Sequence, residues 1–224
     1  MDLFDPDDRS RARRHRGGLP VRVSGLTIDG PQDPLVRDLS FEAPAGEVTI
    51  VPCDPGPPQV AIALALAGRV ELDSGGVTIA GTHDPARLQE LVRVVDVDQV
   101  SSPEESLPLP FVVSEELALA NQHSGRSNVR EFLDARDLRG HWRDRWDSVP
   151  AGERIRMLLD LAALDATRQV LVLAGPDRHG THHREWLDHA RKVAADGRTV
   201  IVLVNLTTAE ALDAAPSASR EDLP

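Results

Sequence analysis

The stretch Val48-Thr49-Ile50-Val51-Pro52-Cys53-Asp54-Pro55-Gly56-Pro57-Pro58-Gln59-Val60-Ala61-Ile62-Ala63-Leu64-Ala65-Leu66-Ala67-Gly68 decides the fold. Glu47–Val51 is apolar and β-branched, as a buried parallel strand should be. Pro57–Gly68 has proline at its start and glycine just past its end, the expected asymmetry of a helix. It is apolar all round, which predicts a buried helix. Strand, tight turn and helix at this spacing are the frame of a phosphate-binding loop, whose working form reads GxxxxGK[ST]. In that form backbone N–H groups cradle phosphates, the lysine reaches the β/γ-phosphates and the hydroxyl binds Mg²⁺. Here proline at 55, 57 and 58 removes three of those donors. Gln59 stands in the lysine slot, and Val60 and Ala61 stand in the hydroxyl slots. The frame is kept and its chemistry is erased.

Working outward, the basic residues are 24 arginines against one lysine, Lys192, which lies far from this loop. A GC-rich genome explains arginine for lysine, but it does not explain an uncharged glutamine at 59. A length of 224 residues allows one α/β domain, or a core with a small insert. The net charge of −11 argues against a nucleic-acid partner, since such proteins carry basic surfaces. The single cysteine, Cys53, rules out an intramolecular disulfide and fits a reducing compartment. The longest apolar runs, near Val60–Ala67 and Val200–Val204, fall well short of the ~18 residues of a membrane span, and no signal peptide is visible. A cytoplasmic location is expected.

Residues 1–20 read as a disordered tail, with aspartates preceding an arginine run. That run is either a solvated tail or a contact for anionic lipid headgroups. Val21–Ile28 alternates apolar and polar residues and predicts an edge-type strand. Strands are also predicted at Leu35–Phe41, Gly76–Ile79, Val92–Val97, Gln169–Leu173 and Thr199–Asn205. Helices are predicted at Ala86–Leu91, Ser114–Asn121, Asn128–Asp134, His141–Asp147, Gly152–Ala166 and Thr181–Ala195, with one more turn at Glu210–Ala214. Gln99–Pro110 reads as a loop. Strands alternating with helices in the two flanks imply a mostly parallel sheet. The core would then be 21–98 with 151–212, the inserted helical subdomain 99–150, and the flexible tail 213–224.

Over residues 21 to 212 this chain resembles the ATP-binding cassette family, the nucleotide-binding subunit of an ABC transporter. The likeness rests on register. Phe41–Val51, the stretch Val48–Gly68, and Asp73-Ser74-Gly75-Gly76 running into Val77–Gly81 follow the family's opening run. Gln99 falls where the family has its Q-loop glutamine. Val112–Leu117 is similar to the entry of the helical subdomain. Val149-Pro150-Ala151-Gly152-Glu153 sits where the signature LSGGQ belongs, with Arg154 and Arg156 continuing the register, and only Gly152 of the serine and two glycines survives. Val170–Leu173 followed by Ala174-Gly175-Pro176 resembles the Walker B strand and its "DEP". Asn205 falls at the switch histidine, and Asp29 at the adenine-stacking aromatic.

The resemblance implies a P-loop NTPase-like core with a mostly parallel sheet, an N-terminal antiparallel β segment and a helical insert. It implies that the Mg²⁺-holding aspartate is Ala174 and that the water-polarising glutamate is Gly175. Phosphoryl transfer is catalysed almost wholly by positioning and charge stabilisation, and losing one such element can cost several kcal/mol of barrier. With these positions and Cys53 to Ala61 altered, no catalytic residue is expected, and ATP and Mg²⁺ binding is expected to be lost or weak. Asp54 puts a negative charge where a triphosphate would run. Its carboxylate is expected to fill the vacated anion site at the start of the Pro57–Gly68 helix.

The implied role is a non-hydrolytic scaffold or regulatory subunit, peripheral to the inner face of the cell membrane. The implied partner is an integral membrane permease, met at Gln99 and residues 100–120, together with a second, active cassette or a second copy of this chain. An ATP-binding subunit with an unusual loop, and a soluble regulatory module unrelated to membranes, are the alternatives. Three clusters carry two readings each. His179, His182, His183 and His189, with Glu185 and Asp188, make either a zinc site or solvated residues at a helix start; no specific metal-ligand spacing is present. Cys53 is either a nucleophile without an assigned base or a buried small residue. Trp142 and Trp146 make either a docking surface or a local core pair.

Overall fold

The computed structural model describes residues 18–212, so the expected tails at 1–17 and 213–224 lie outside the described residues. The strands are β1 (Val21–Ile28), β2 (Val36–Ala43), β3 (Val48–Pro52), β4 (Ser74–Ile79), β5 (Val92–Val95), β6 (Val170–Ala174) and β7 (Thr199–Val204). The α-helices are α1 (Pro57–Leu66), α2 (Pro85–Leu91), α3 (Leu109–Leu119), α4 (Arg126–Asp134), α5 (Ala151–Ala163), α6 (His183–Ala195) and α7 (Leu206–Ala211). They build a three-stranded antiparallel sheet, β2-β1-β4, and a four-stranded parallel sheet, β3-β7-β6-β5.

Both faces of the parallel sheet are covered, which is why β6 and β7 read as unbroken apolar runs and are buried at every position. Successive side chains of a strand point to opposite faces. Accordingly Leu171, Leu173, Val200, Val202 and Val204 join one core with α3, α4, α5 and α6. Val170, Val172, Ala174, Ile201 and Leu203 join a second core with α1 and the antiparallel sheet. Each fully buried leucine or valine contributes about 1.5–3 kcal/mol.

β1 is not an edge strand. It pairs with β2 on one side and β4 on the other, and its alternation arises because Val21, Val23, Leu26 and Ile28 face the core. The insert also differs from expectation. α3 starts at Leu109, because Pro108 takes the extended N-cap geometry and Leu109 and Val112 are already buried. Where a third helix was expected at His141–Asp147, two 3₁₀ turns stand at Arg139–His141 and Trp146–Ser148. The backbone there leaves the helix to return to β-type pairing, with a bridge between Pro108 and Arg145. The last helix runs Leu206–Ala211 rather than Glu210–Ala214, because Asn205 caps it by accepting the Thr208 N–H at 2.8 Å. Gly18 and Leu19, expected in the disordered tail, lie against the start of β7, where Thr199 donates to the Leu19 carbonyl at 2.8 Å, and the Pro20 carbonyl accepts the Ala80 N–H at 2.9 Å.

The topology fixes where a site can form. β3 leads into α1 on one face of the parallel sheet, while its neighbour β7 leads into α7, whose Ala209 packs into the core on the other face. At such a switch point the carboxyl ends of the strands open a crevice, the usual ligand position in α/β sheets.

Candidate functional site

Four loops meet at the carboxyl edge of the parallel sheet: 53–56 after β3, 96–102 after β5, 175–180 after β6 and the turn at Asn205 after β7. The first keeps one demand of a phosphate loop. Gly56, the N-cap of α1, has φ 83° and ψ −134°, a conformation for glycine. Pro57 and Pro58 open the helix, so of the start's free N–H groups only those of Gly56 and Gln59 remain. Asp54 is exposed, and no side chain caps α1. The expected carboxylate cap is therefore absent, because the prolines leave it few N–H groups to bind.

Gln59, in the lysine slot, is 7% exposed. Its Nε2 donates to the Leu203 carbonyl at 3.4 Å and lies 3.8 Å from Cys53 Sγ. Its Oε1 sits beside Gly175, which has φ 60° and donates its N–H to the same Leu203 carbonyl at 2.8 Å. Burial pushes the Cys53 thiol up to about 12, with Asp177 and Asp54 adding to the effect against the Gln59 hydrogen bond. Cys53 is thus an unionised, half-buried thiol, and a nucleophile's low pKa is missing.

At the Walker B register Ala174 is buried and presents only its backbone: its carbonyl accepts from Arg178 Nη1 at 2.7 Å. Asn205, at the switch-histidine register, lies between β7 and α7. Its side chain caps α7 and its N–H donates to Asp177 Oδ2 at 2.8 Å. Asp29 is exposed, and its N–H donates to Asp73 Oδ2 at 2.7 Å. Gln99 is exposed with φ 55°, beside exposed Val100.

In the signature register Pro150 is the N-cap and Ala151 the first residue of α5. Gly152 is buried, and a Cβ there would collide with the Glu185 carboxylate of α6. Val149 is buried in the core, and Glu153 pairs with Arg156 one turn on. A carboxylate held at the start of α5 is the opposite of an anion-accepting surface.

Sequence reasoning missed the strongest polar cluster. Asp96, 4% exposed, accepts from Arg178 Nη2 at 2.8 Å, from His179 Nε2 at 2.7 Å and from Ser102 Oγ at 3.0 Å. The available signal was a carboxylate directly after the valine-rich strand Val92–Val95. The edge carries Asp54, Asp96, Asp98 and Asp177 against the guanidinium of Arg178. That balance repels polyanions.

The histidines disperse, and among the described residues no group of three or more His, Cys, Asp or Glu could hold a metal. His179 goes to Asp96 and His189 to Asp160, so neither is a solvated residue. The His182 and His183 rings lie 4.3 Å apart, and His182 Nδ1 accepts the Arg184 N–H at 3.3 Å. Trp146 is a core residue, while Trp142 is half-buried beneath Arg126 and Arg130 at 5.6 and 5.3 Å.

No protein-family model matches the chain. Its sequence is 31% identical over 169 residues to an ABC transporter ATP-binding protein of Streptomyces avermitilis, which covers 67% of this chain and 28% of the relative. The chain thus spans about a quarter of that relative's length. Among solved structures, a nucleotide-free ATP-binding cassette from an ABC transporter superposes with a TM-score of 0.61 at 12% identity, over 87% of this chain and 84% of that one. An ABC transporter ATP-binding protein from Pyrococcus furiosus gives 0.60 at 12% identity, over 91% and 92%. The fold is that of the ABC ATPases, an α/β P-loop-like core joined to an antiparallel sheet. The likeness in sequence is to part of an ABC transporter ATP-binding protein, and the likeness in structure is one of fold.

Proposed function

We propose that this chain is a degenerate cassette subunit of a membrane transport complex, non-hydrolytic and acting as a scaffold or regulator. One observation carries the reading: Gln59 is folded down onto the Leu203 carbonyl against Gly175, so the lysine slot holds a buried amide where a charge would have to reach phosphate. Ala174 and Gly175 offer neither a metal ligand nor a base, and four carboxylates line the same edge. These replacements support a reading in which ATP and Mg²⁺ binding is lost or weak, since positioning is nearly all a phosphoryl-transfer enzyme supplies.

The partner of this reading is an integral membrane permease, with a second cassette as a further subunit. What supports it is exposed apolar surface in the stretch expected to meet the permease: Val100, beside Gln99, is 46% exposed, and Phe111, on α3, is 50% exposed. No helix among the described residues is long and apolar enough to cross a membrane, so attachment would run through such a partner, at the inner face of the membrane. Isothermal titration with ATP, with and without Mg²⁺, together with phosphate release, tests the first half. No saturable binding is expected at millimolar nucleotide, and micromolar binding with turnover would make the chain an active ATP-binding subunit. Affinity capture from detergent extracts tests the second half. A multi-span membrane protein is expected with the wild-type chain and lost with Phe111→Glu. Recovery of soluble proteins only would favour a regulatory module unrelated to membranes.

A further inference from the structure

The Asp96 cluster belongs to none of the positions that the cassette register assigns, and it ties together two loops far apart in sequence, Asp96 and His179 being 83 residues apart, by the Arg178–Asp96 pair at 2.8 Å and the His179–Asp96 pair at 2.7 Å. Arg178 is held at both ends. Nη1 donates to the Ala174 carbonyl at 2.7 Å, and Nη2 donates to Ser102 Oγ at 2.7 Å as well as to Asp96. Ser102 Oγ in turn donates a hydrogen bond to Asp96 at 3.0 Å. The carboxylate is thus saturated by three donors in a nearly dry position. Removing one partner of such a pair strands the other charge.

The 96–102 loop is wound tightly on itself. The Val97 carbonyl accepts N–H groups from Val100, Ser101 and Ser102 at 3.1, 2.9 and 3.0 Å, and Val97 N–H donates to Ser101 Oγ at 3.0 Å. Two of its residues without glycine's freedom, Asp96 at φ 58° and Gln99 at φ 55°, are left-handed. Such residues persist only when their surroundings over-determine them. For Asp96 the surroundings are Arg178, His179 and Ser102.

We propose that Arg178 and His179 latch the 96–102 loop to the 175–179 loop through Asp96, so that the two loops open and close as one unit. The latch needs no ligand, because the guanidinium supplies the positive charge that joins them. A partner seated on exposed Gln99 and Val100 would therefore act on the 175–179 loop as well. The proposal stands apart from whether nucleotide binds.

Amide hydrogen exchange read by mass spectrometry on the full chain tests it, comparing wild type with Arg178→Ala, Asp96→Asn and the double variant. Each single substitution is expected to speed exchange in both the 96–102 and 175–182 peptides by about tenfold or more, and the double variant to add little. Arg178→Ala that speeds only 175–182, or two effects that add in full, would overturn the latch. Arg178→Lys covers the case in which Asp96→Asn does not fold. A point charge cannot span Ala174, Ser102 and Asp96, so a smaller rise in both loops is expected, and a rise in its own loop alone overturns the proposal. Adding ATP and Mg²⁺ to the wild type separates the two readings. New protection at 53–59 would remove the non-nucleotide reading and leave the latch untouched.

Discussion

Gln59 Nε2 donates to the Leu203 carbonyl oxygen at 3.4 Å, and that same oxygen takes the Gly175 N–H at 2.8 Å. One acceptor at the end of β7 therefore joins the α1 helix start, the turn after β6 and the central strand. A side chain that elsewhere would face a ligand is here part of the sheet edge.

Gln59→Lys, the most direct attempt to restore a phosphate-binding charge, is expected to leave phosphate release at the background rate. Ala174 and Gly175 still supply no metal ligand and no base. The ammonium also enters a site that is 7% exposed and loses the amide's fit, a cost of about 1–3 kcal/mol. Urea unfolding reads the cost, and a phosphate-release assay reads the activity. Turnover above background in this single variant would contradict the whole account of the site.

Cys53 should react slowly. Burial holds its thiol at about 12, so at pH 8 almost none is thiolate, and the thiolate is the nucleophile. Iodoacetamide labelling of the folded chain is expected to run at least about tenfold slower than labelling in urea, with the ratio narrowing only as the pH approaches the thiol's own value. Equal rates folded and unfolded would show an accessible, ordinary thiol.

Asp160 accepts from Arg136 Nε and from His189 Nε2, each at 2.7 Å, joining the α4 end, α5 and α6. Burial pushes its carboxyl up, but the His189 hydrogen bond and the Arg136 charge outweigh it and hold the group below the ordinary carboxylate value. Asp165 is held down likewise by Thr167 and Arg168, against the upward effect of its own burial. A lowered folded-state value means stabilisation that is present above the unfolded value of roughly 3.9 and lost as pH falls through the folded one. Asp160→Asn is expected to cost about 2–3 kcal/mol at pH 7. The gap to wild type should shrink below about pH 4. Thermal melts across pH 3–7 check this, and a gap that is constant with pH would assign the loss to packing instead.

The fold was legible because its signals are local. β-branched runs bounded by glycine and proline mark β3, β6 and β7, and Pro57 with Gly68 brackets α1. Four things were not legible, for physical reasons. The alternation of β1 reports one buried face and says nothing of neighbours on its two edges. The insert's Trp142 and Trp146 lie four apart, a helical spacing, yet the backbone between them is pulled out of helix by pairing at Arg145 with Pro108. Asp96, Arg178 and Ser102 come together only through tertiary contact, so no window of sequence contains them, and Asp54 was placed by charge alone although its prolines had removed the N–H groups it needed.

Gly175→Glu would return a carboxylate to the turn after β6, and the backbone opposes it. Gly175 has φ 60°, where a side chain costs roughly 1–2 kcal/mol. A Cβ there would also stand 2.6 Å from Gln59 Oε1 and 3.1 Å from Arg178 Nη1, so the amide must move off Leu203. The two effects together predict a loss of about 2–4 kcal/mol. They also predict non-additivity. Gln59→Ala alone removes a buried hydrogen bond and costs about 1–2 kcal/mol, but in the Gly175→Glu background it relieves the collision. The double variant should therefore be more stable than the sum of the singles implies, by about 1 kcal/mol. Urea unfolding of the four proteins measures this coupling. A cycle that closes additively would mean that Gln59 does not occupy the space over Gly175, and the reading of the lysine slot as a filled structural position would fail with it.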